Sequence, residues 1–290
     1  MPEDSKFWGS DFAGVRVRLH VVDALLMSTL QEKIYNNYGS FVFIHLININ
    51  AMFFAAFVFW DMPFGLGLAE WDVLLTDEQL KMFFRQLAIV NSCTSTVLAL
   101  VVHFTDAGRV AKAMEEHGYT GVHPFYVYKP TQNQRGTECF IFAVEMILIG
   151  YLATPSERKL IFPEENPLLR HNLLFGHSLR GPRFQLSGDP EPVNTCQKHT
   201  GVAHYLATVF AHPGANALVI GAGSGSDVIG CVRASLNVFA VEKDPAQFRG
   251  CKARLLGYQS NLEAEQRVEA KEPAQVSHLK AQARASVCLL

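Results

Sequence analysis

The feature that most constrains the fold is a compact unit between residues 216 and 242. An apolar segment, residues 216–220, precedes the glycine-rich residues 221–226, and a second apolar segment, residues 237–241, ends in Glu242. Alternate glycines after a strand let the backbone approach a ligand closely and begin a helix beneath it. An acid at the tip of the neighbouring strand can accept hydrogen bonds from a ribose diol. The unit predicts a nucleoside-bearing cofactor; the alternative is an ordinary glycine turn.

The spacing of the glycines distinguishes two classes of nucleoside cofactor. A nicotinamide dinucleotide site uses GxGxxG, so that a pyrophosphate rests on the helix. Here Gly221, Gly223 and Gly225 follow GxGxG, and Ser226 stands where the dinucleotide pattern needs its third glycine. The tighter spacing suits S-adenosylmethionine, which has no pyrophosphate. An oxidoreductase is therefore the least favoured hypothesis.

A second stretch, Asp61-Met62-Pro63-Phe64, follows an apolar run over residues 52–59. In an open α/β sheet, ligands bind beyond the carboxyl ends of the strands. Asp61 would offer a charged acceptor there and Phe64 a flat apolar face, while Pro63 restrains the backbone between them. These groups suit a flat ring that carries an amino group. A plain strand-to-loop turn is the alternative.

Composition narrows the class of protein. The chain has 290 residues, of which 49% are hydrophobic and 18% charged, which is typical of a globular protein with a sizeable core. The formal net charge of −2 gives no overall attraction to nucleic acid, so any such binding must rest on a local patch. The six cysteines are scattered without a CxxC pair, which argues against a zinc site and a disulfide framework and favours a reducing compartment.

Membrane insertion is not favoured by the sequence. The first residues are charged and lack a signal-peptide core. The apolar run over residues 41–60 is long enough to span a bilayer, but His45, Asn48 and Asn50 divide it into two strand-sized pieces. We expect a soluble, intracellular protein. Residues 41–49 are either an extra strand or a buried insert.

Apolar periodicity predicts strands and helices along the rest of the chain. Strands are predicted over residues 15–22, 96–104, 122–128 and 139–151, and helices over residues 24–35, 76–90, 108–117 and 201–211. The polar residues 131–137 join two of these strands, which indicates an antiparallel hairpin at the edge of the sheet. Asp23, between the first strand and its helix, is either an N-cap or a ligand-facing acid.

Residues 154–192 form the least periodic part of the chain, and cationic side chains are frequent among them. They hold six prolines together with Arg180, Arg183 and other cationic side chains. Phosphate contacts need only positive, adaptable side chains, so the segment is a candidate for binding a nucleic-acid backbone. The alternative is a solvated surface loop.

Taken together, the two stretches resemble those of the DNA amino-methyltransferases, the N6-adenine and N4-cytosine group, in their circularly permuted order. Residues 61–64 resemble the family's Asp/Asn/Ser-Pro-Pro-Tyr/Phe box, and residues 222–226 its Ala-Gly-Ser-Gly-Thr turn. Lys198 lies where the family has a Lys-Pro element, and Lys129 in a segment that lines the base pocket. The sequence departs from the pattern at Met62, Val219 and His199.

The resemblance implies a role for each matched residue. The catalytic box is Asp61, Met62, Pro63 and Phe64. The cofactor-binding residues are Asp23, Lys198, Gly221, Ala222, Gly223, Ser224, Gly225 and Glu242. Lys129 would contact the substrate, as would Arg180 and Arg183 of the basic segment, and no metal is needed.

The resemblance also implies a fold and an activity. We expect a Rossmann-like class I methyltransferase fold of the α/β class, with a mostly parallel sheet, an antiparallel edge hairpin and helices on both faces. Residues 1–290 would form one domain, divided into a target-base half (1–152), a basic insert (153–193), a cofactor half (194–260) and a polar tail (261–290). The expected activity is methyl transfer from S-adenosylmethionine to the exocyclic amine of a base flipped out of duplex DNA, with adenine favoured because aspartate opens the box. The alternative is an inactive homologue that binds nucleic acid or a partner.

Overall fold

A computed structural model describes most of the chain between residues 7 and 269. The described residues are 7–12, 15–21, 55–65, 72–90, 96–128, 144–152, 172–174, 184–187, 192–194 and 196–269. Several predictions fall outside them: the helix over residues 24–35, the segment 41–49, and the side chains of Asp23, Lys129, Arg180 and Arg183.

The described residues form nine strands and five helices. The strands are β1 (Phe7–Phe12), β2 (Val15–Val21), β3 (Phe57–Asp61), β4 (Val97–Val102), β5 (Thr120–Tyr128), β6 (Val144–Tyr151), β7 (Leu173–Leu174), β8 (Asn216–Ile220) and β9 (Asn237–Glu242). The helices are α1 (Asp77–Val90), α2 (Ala107–Glu116), α3 (Thr200–Phe210), α4 (Ser226–Arg233) and α5 (Pro245–Glu269).

The described strands form one sheet in the order β1-β2-β9-β8-β3-β4-β6-β5-β7. The five strands from β2 to β4 pair in parallel. β6 runs antiparallel to both β4 and β5, which confirms the predicted hairpin, and the two-residue β7 adds to its outer side. At the opposite edge β1 pairs antiparallel with β2, an arrangement that the sequence patterns did not indicate.

The sheet separates two hydrophobic cores because successive strand side chains point to opposite faces. In β3, Phe57 and Phe59 join the core beneath α3, α4 and α5, whereas Val58 and Trp60 join the core beneath α1 and α2. All four side chains are at most 3% exposed. This continuous burial is typical of a strand covered on both faces, and it confirms the predicted helix–sheet–helix layers.

Helix α1 begins with a reciprocal cap. The Gln79 amide donates to Thr76 Oγ1 (3.3 Å), and the Thr76 amide donates to Gln79 Oε1 (2.6 Å). The pair satisfies two backbone donors that the first helical turn leaves without carbonyl partners. Asp77 and Glu78 add negative charge at the positive end of the helix dipole. The sequence predicted this start from the same residues.

The structure bears on the cysteines and on membrane insertion. Cys196, Cys231 and Cys251 are free thiols, as expected for a chain without a disulfide framework. Among the described residues, no helix combines the length and the apolar character needed to cross a bilayer.

Candidate active site

The predicted cofactor turn and the predicted catalytic box meet at one edge of the sheet. β3 and β8 are parallel neighbours, with Trp60 opposite Ile220, so both strands end at the same edge. A Cβ atom placed on Gly221 would lie 4.0 Å from the backbone oxygen of Asp61. From this pair the sheet continues through β4 on one side and β9 on the other. Such a switch point is where open α/β sheets bind ligands.

The glycine turn is held by its own backbone. The Ala222 amide donates to Val241 O (3.0 Å) and the Gly225 amide to Ala222 O (2.8 Å). Gly223 has a φ of +53°, and a Cβ there would lie 2.7 Å from Asn194 Nδ2. Both the left-handed conformation and the close approach require glycine. The turn then leads directly into helix α4.

Glu242, at the tip of β9, is buried and fixed by two amides. The Gly223 amide donates to its Oε2 (2.6 Å) and the Asp244 amide to its Oε1 (2.8 Å). Burial raises the pKa of Glu242 above its usual value, while these hydrogen bonds act in the opposite direction. A carboxylate offers about four lone-pair sites, so both oxygens can accept further bonds.

Asp61, the first residue of the predicted catalytic box, belongs to a charged cluster. Lys198 Nζ lies 3.3 Å from Asp61 Oδ1 and also donates to Glu145 Oε1 of β6. The side chains of Lys198 and Glu145 are 14% and 9% exposed. Burial alone would lower the pKa of Lys198, but the carboxylates of Asp61 and Glu145 outweigh it and raise the pKa above the ordinary value. Lys198 is therefore a charged partner of the catalytic box.

Phe64 presents an aromatic face beside this cluster. Lys198 Nζ lies 5.3 Å from the centre of its ring, and the His103 ring lies 5.9 Å from it. The amides of Phe64 and Gly65 both donate to Asp72 Oδ1, at 2.7 and 2.9 Å. Asp72, which is buried, thus fixes the backbone at the start of the loop after β3.

The segment before α3 lies against the glycine turn. Ser224 Oγ donates to Gln197 Oε1 (3.3 Å), which also accepts from the Phe184 amide (2.8 Å). His199 caps α3 by accepting from the Gly201 amide at Nδ1 (2.9 Å). The departure from Lys-Pro at His199 therefore has a structural role, since histidine supplies the helix cap.

Asp227 stands out in the first turn of α4. It is 5% exposed, and its Oδ1 is buried without a hydrogen-bond partner among the described residues. Burial and then the charge of Asp61 raise the pKa of Asp227 to about 7, although Lys198 acts in the opposite direction. A buried carboxyl oxygen without a partner is costly, by about 1–3 kcal/mol.

Arg254 of α5 braces the glycine turn from the other side. Its Nη1 donates to Ser226 Oγ (2.9 Å) and to Ser224 O (3.2 Å). The guanidinium also lies 5.7 Å from the centre of the Phe184 ring. These contacts join the N-terminus of α4 to α5 through one side chain.

Several residues of the site were not predicted from the sequence. Glu145, Asp227 and Arg254 reach it from β6, α4 and α5. Glu145 was detectable, because it is an acid inside an otherwise apolar strand. Asp227 lies in the first turn of α4, where an acid is ordinary, so no sequence signal distinguished it. No group of metal-ligating side chains occurs among the residues described.

Comparison with known proteins gives a clear result only at the level of structure. No family model matches the chain, and no curated protein matches its sequence. The crystal structure of the M1.HpyAVI–SAM complex matches with a TM-score of 0.56 and 16% identity, covering 82% of this chain and 98% of that chain. The PvuII DNA methyltransferase, cytosine-N4-specific, matches with a TM-score of 0.55 and 13% identity, covering 81% and 85%. This chain has their fold.

The methyltransferase fold agrees with the fold predicted from the sequence. The similarity covers four fifths of the chain, and it spans most of the length of both solved proteins. It therefore includes strands from both the predicted base half and the predicted cofactor half. At identities of 16% and 13%, the comparison concerns fold rather than chemistry.

Proposed function

We propose that the protein is an S-adenosylmethionine-dependent methyltransferase that modifies the exocyclic amine of a base in DNA, with adenine N6 as the favoured acceptor. The observation that carries the proposal is the meeting of Asp61 and the Gly221–Gly225 turn at one switch point. Of the two solved proteins compared above, one is named as the PvuII DNA methyltransferase, and the other, M1.HpyAVI, was crystallised with SAM.

The residues at the switch point fit the cofactor. Glu242 accepts from the Gly223 amide of the turn and can accept further hydrogen bonds, which suits a ribose diol. Asp227 adds a buried oxygen without a partner among the described residues. When bound, S-adenosylmethionine supplies an electrophilic methyl group on a positively charged sulfur.

Asp61 is the residue that prepares the acceptor. The lone pair of an exocyclic amine is delocalised into its ring, so the nitrogen is a weak nucleophile. A carboxylate that accepts a hydrogen bond from the amine, together with the Met62 carbonyl, favours the pyramidal form in which the lone pair is available. Lys198 Nζ lies 3.3 Å from Asp61 Oδ1 and holds that side chain in place.

Phe64 would hold the base by stacking. Its ring lies beside Lys198, and its backbone amide is held by Asp72. The base must leave the duplex to reach a site at the sheet edge. Positioning the amine in line with the methyl group supplies much of the acceleration, because alignment removes an entropic cost.

The residues proposed to contact the nucleic acid lie mainly outside the part of the chain that the structure describes. The overall charge of −2 offers no general attraction. Arg180, Arg183 and Lys129 are therefore the proposed phosphate- and base-contacting residues. Residues 168–188, which contain Arg180 and Arg183, hold three arginines and two histidines and no acidic residue.

The direct test is incubation of duplex DNA with the protein and S-adenosylmethionine, followed by mass spectrometry of the released nucleosides. N6-methyldeoxyadenosine is the expected product, and N4-methyldeoxycytidine would reassign the acceptor while keeping the reaction. Asp61→Ala serves as the negative control. Binding of S-adenosylmethionine without any methylated nucleoside would favour the inactive homologue, and absence of cofactor binding would refute the proposal.

A further inference from the structure

The negatively charged groups around Asp227 outnumber the positively charged ones. Three acids interact electrostatically at this point: Asp61 from β3, Glu145 from β6 and Asp227 itself from α4. Two cations oppose them, Lys198 from the segment before α3 and Arg254 from α5. The two thiols nearby, Cys231 and Cys251, stay neutral because burial raises the pKa of each. With all acids ionised, the group carries one negative charge more than positive.

The two cations are already engaged by other groups. Lys198 contacts Asp61 and Glu145, and Arg254 donates to Ser224 and Ser226. Asp227 Oδ1 is left buried and without a hydrogen bond among the described residues. An unpaired acid in such a place attracts a cation or retains its proton. The raised pKa of Asp227, about 7, is consistent with the second outcome in the ligand-free protein.

Asp227 lies close in sequence to the predicted cofactor turn. It is the second residue of α4, two residues beyond the left-handed Gly225. Asp61, whose charge is the largest influence on Asp227 after burial, belongs to the catalytic box. The acid therefore lies where the turn and the box approach each other, next to the place where methyl transfer is proposed to occur.

We propose that Asp227 supplies the charge by which this site prefers a positively charged ligand, so that the sulfonium cofactor binds more tightly than its uncharged thioether product. This inference rests on the proposed function. S-adenosylmethionine and S-adenosylhomocysteine differ by one methyl group and one positive charge at sulfur. A negative charge nearby therefore discriminates between them, and it favours release of the product after transfer.

The sign of the pH dependence follows from this arrangement. A bound cation stabilises the ionised carboxylate, so it lowers the pKa of Asp227 and binding releases a proton near neutral pH. Affinity for S-adenosylmethionine should rise as pH increases towards about 7 and then level off. The product, without charge at sulfur, should show a smaller rise.

The experiment is isothermal titration of the wild type and Asp227→Asn with S-adenosylmethionine, S-adenosylhomocysteine and sinefungin, whose amine replaces the sulfonium. Titrations at pH 6 and pH 8.5, each in two buffers of different ionisation enthalpy, count the protons released. For the wild type, the preference for the sulfonium over the thioether should increase by about tenfold between the two pH values, as expected for one nearby unit charge. For Asp227→Asn, which imitates the protonated acid, the preference for the sulfonium over the thioether should be the same at both pH values. Comparing the two proteins cancels the titration of the ligand's own groups.

The outcomes separate the two proposals. An equal preference at both pH values in the wild type, or the same pH dependence in Asp227→Asn, overturns the role of Asp227 while leaving cofactor binding intact. Failure of the wild type to bind any of the three ligands overturns the proposed function itself. The wild-type titration requires no variant, so an equal preference at the two pH values overturns the role of Asp227 even if Asp227→Asn does not fold. Asp106→Asn, an acid paired with Arg109 outside the site, is the matched control and should behave as the wild type.

Discussion

The two sides of the site are built by different means. On the glycine side, backbone amides carry the structure: Gly223 and Asp244 donate to Glu242, and Ala222 donates to the adjacent strand. On the box side, long side chains carry it: Lys198 joins Asp61 to Glu145, residues that come from three separate segments. The first side is a rigid, mostly neutral cradle, whereas the second is a buried ion cluster whose charge can be altered by one substitution.

This difference between the two sides suggests that they have separate roles in cofactor binding and in methyl transfer. A backbone turn of this kind binds its ligand through shape and through hydrogen bonds from groups held in fixed positions. A charged cluster acts on a developing or transferred charge, where electrostatic effects in a buried site are largest. We therefore expect variants on the box side to affect turnover and stability, and variants on the glycine side to affect cofactor affinity.

The largest expected effect is on turnover. Asp61→Ala should lower kcat by at least about 10²–10³-fold, because it removes the acceptor that prepares the amine. The dissociation constant for S-adenosylmethionine should change little. Radiolabelled methyl transfer to DNA and isothermal titration measure the two quantities. Asp77→Asn, an exposed acid outside the site, is the control and should leave both unchanged. Retained turnover in Asp61→Ala would refute the assigned role.

The next effect concerns stability. Lys198→Met leaves Asp61 and Glu145 without their shared cation, and breaking a buried ion pair in this way lowers the free energy of unfolding by about 3–5 kcal/mol. Lys112→Met is the matched variant: its contact with Glu116 spans 3.8 Å and its side chain is 78% exposed, so little change is expected. Urea unfolding of both variants makes the comparison. Equal stability of the two would contradict the idea of a buried cluster.

A smaller effect is expected for cofactor binding. Glu242→Ala removes a carboxylate that orders the glycine turn and could accept from the ribose, and a charged hydrogen bond of this kind contributes about 1.5–3 kcal/mol. The dissociation constant for S-adenosylmethionine should rise about 10–100-fold. Isothermal titration measures it, with Glu242→Gln as the conservative comparison. An unchanged constant would exclude Glu242 from the cofactor site.

The smallest effect concerns DNA affinity. Replacing Arg180 and Arg183 by glutamine should weaken binding to all DNA sequences alike and reduce the salt slope by about 1 for each phosphate that is no longer neutralised. Fluorescence anisotropy at several salt concentrations provides the slope. Lys81→Gln with Lys112→Gln removes the same charge from exposed positions elsewhere. An identical slope for the two double variants would favour the alternative that residues 154–192 are a solvated surface loop.

The glycine side was predictable from sequence because its signals are local. Strand β8, the turn and strand β9 lie within 27 residues, and each is marked by apolar residues or glycine in a fixed order. The predicted bounds of β8 are those of the structure. The start of α1 was likewise predictable, since Thr76 and Gln79 form its cap within three residues of each other.

The box side was only half predictable. Asp61 and Phe64 were recognised from their own segment, but the partners of Asp61 come from distant parts of the chain. Lys198 was assigned to the cofactor by resemblance, whereas its contacts in the structure are with Asp61 and Glu145. Its role towards the cofactor stays a prediction. Charge pairing of this kind depends on the order of strands in the sheet, which local patterns do not reveal.

The roles of Asp23, Lys129, Arg180 and Arg183 also stay predictions, as does the division into one domain with a basic insert. The hairpin, the parallel central strands and the helices on both faces are confirmed. The antiparallel β1, at the far edge, was missed because the six residues Phe7–Phe12 mix apolar and polar side chains without a clear period.

The central claim is that the acid at the end of β3 and the glycine turn after β8 form one methyl-transfer site. Its most direct test compares the wild type with Asp61→Ala in a single reaction containing duplex DNA and S-adenosylmethionine labelled in the methyl group. We expect labelled N6-methyldeoxyadenosine from the wild type and none from the variant, although both proteins bind the cofactor. Label transferred equally by both proteins, or cofactor bound by neither, would contradict it.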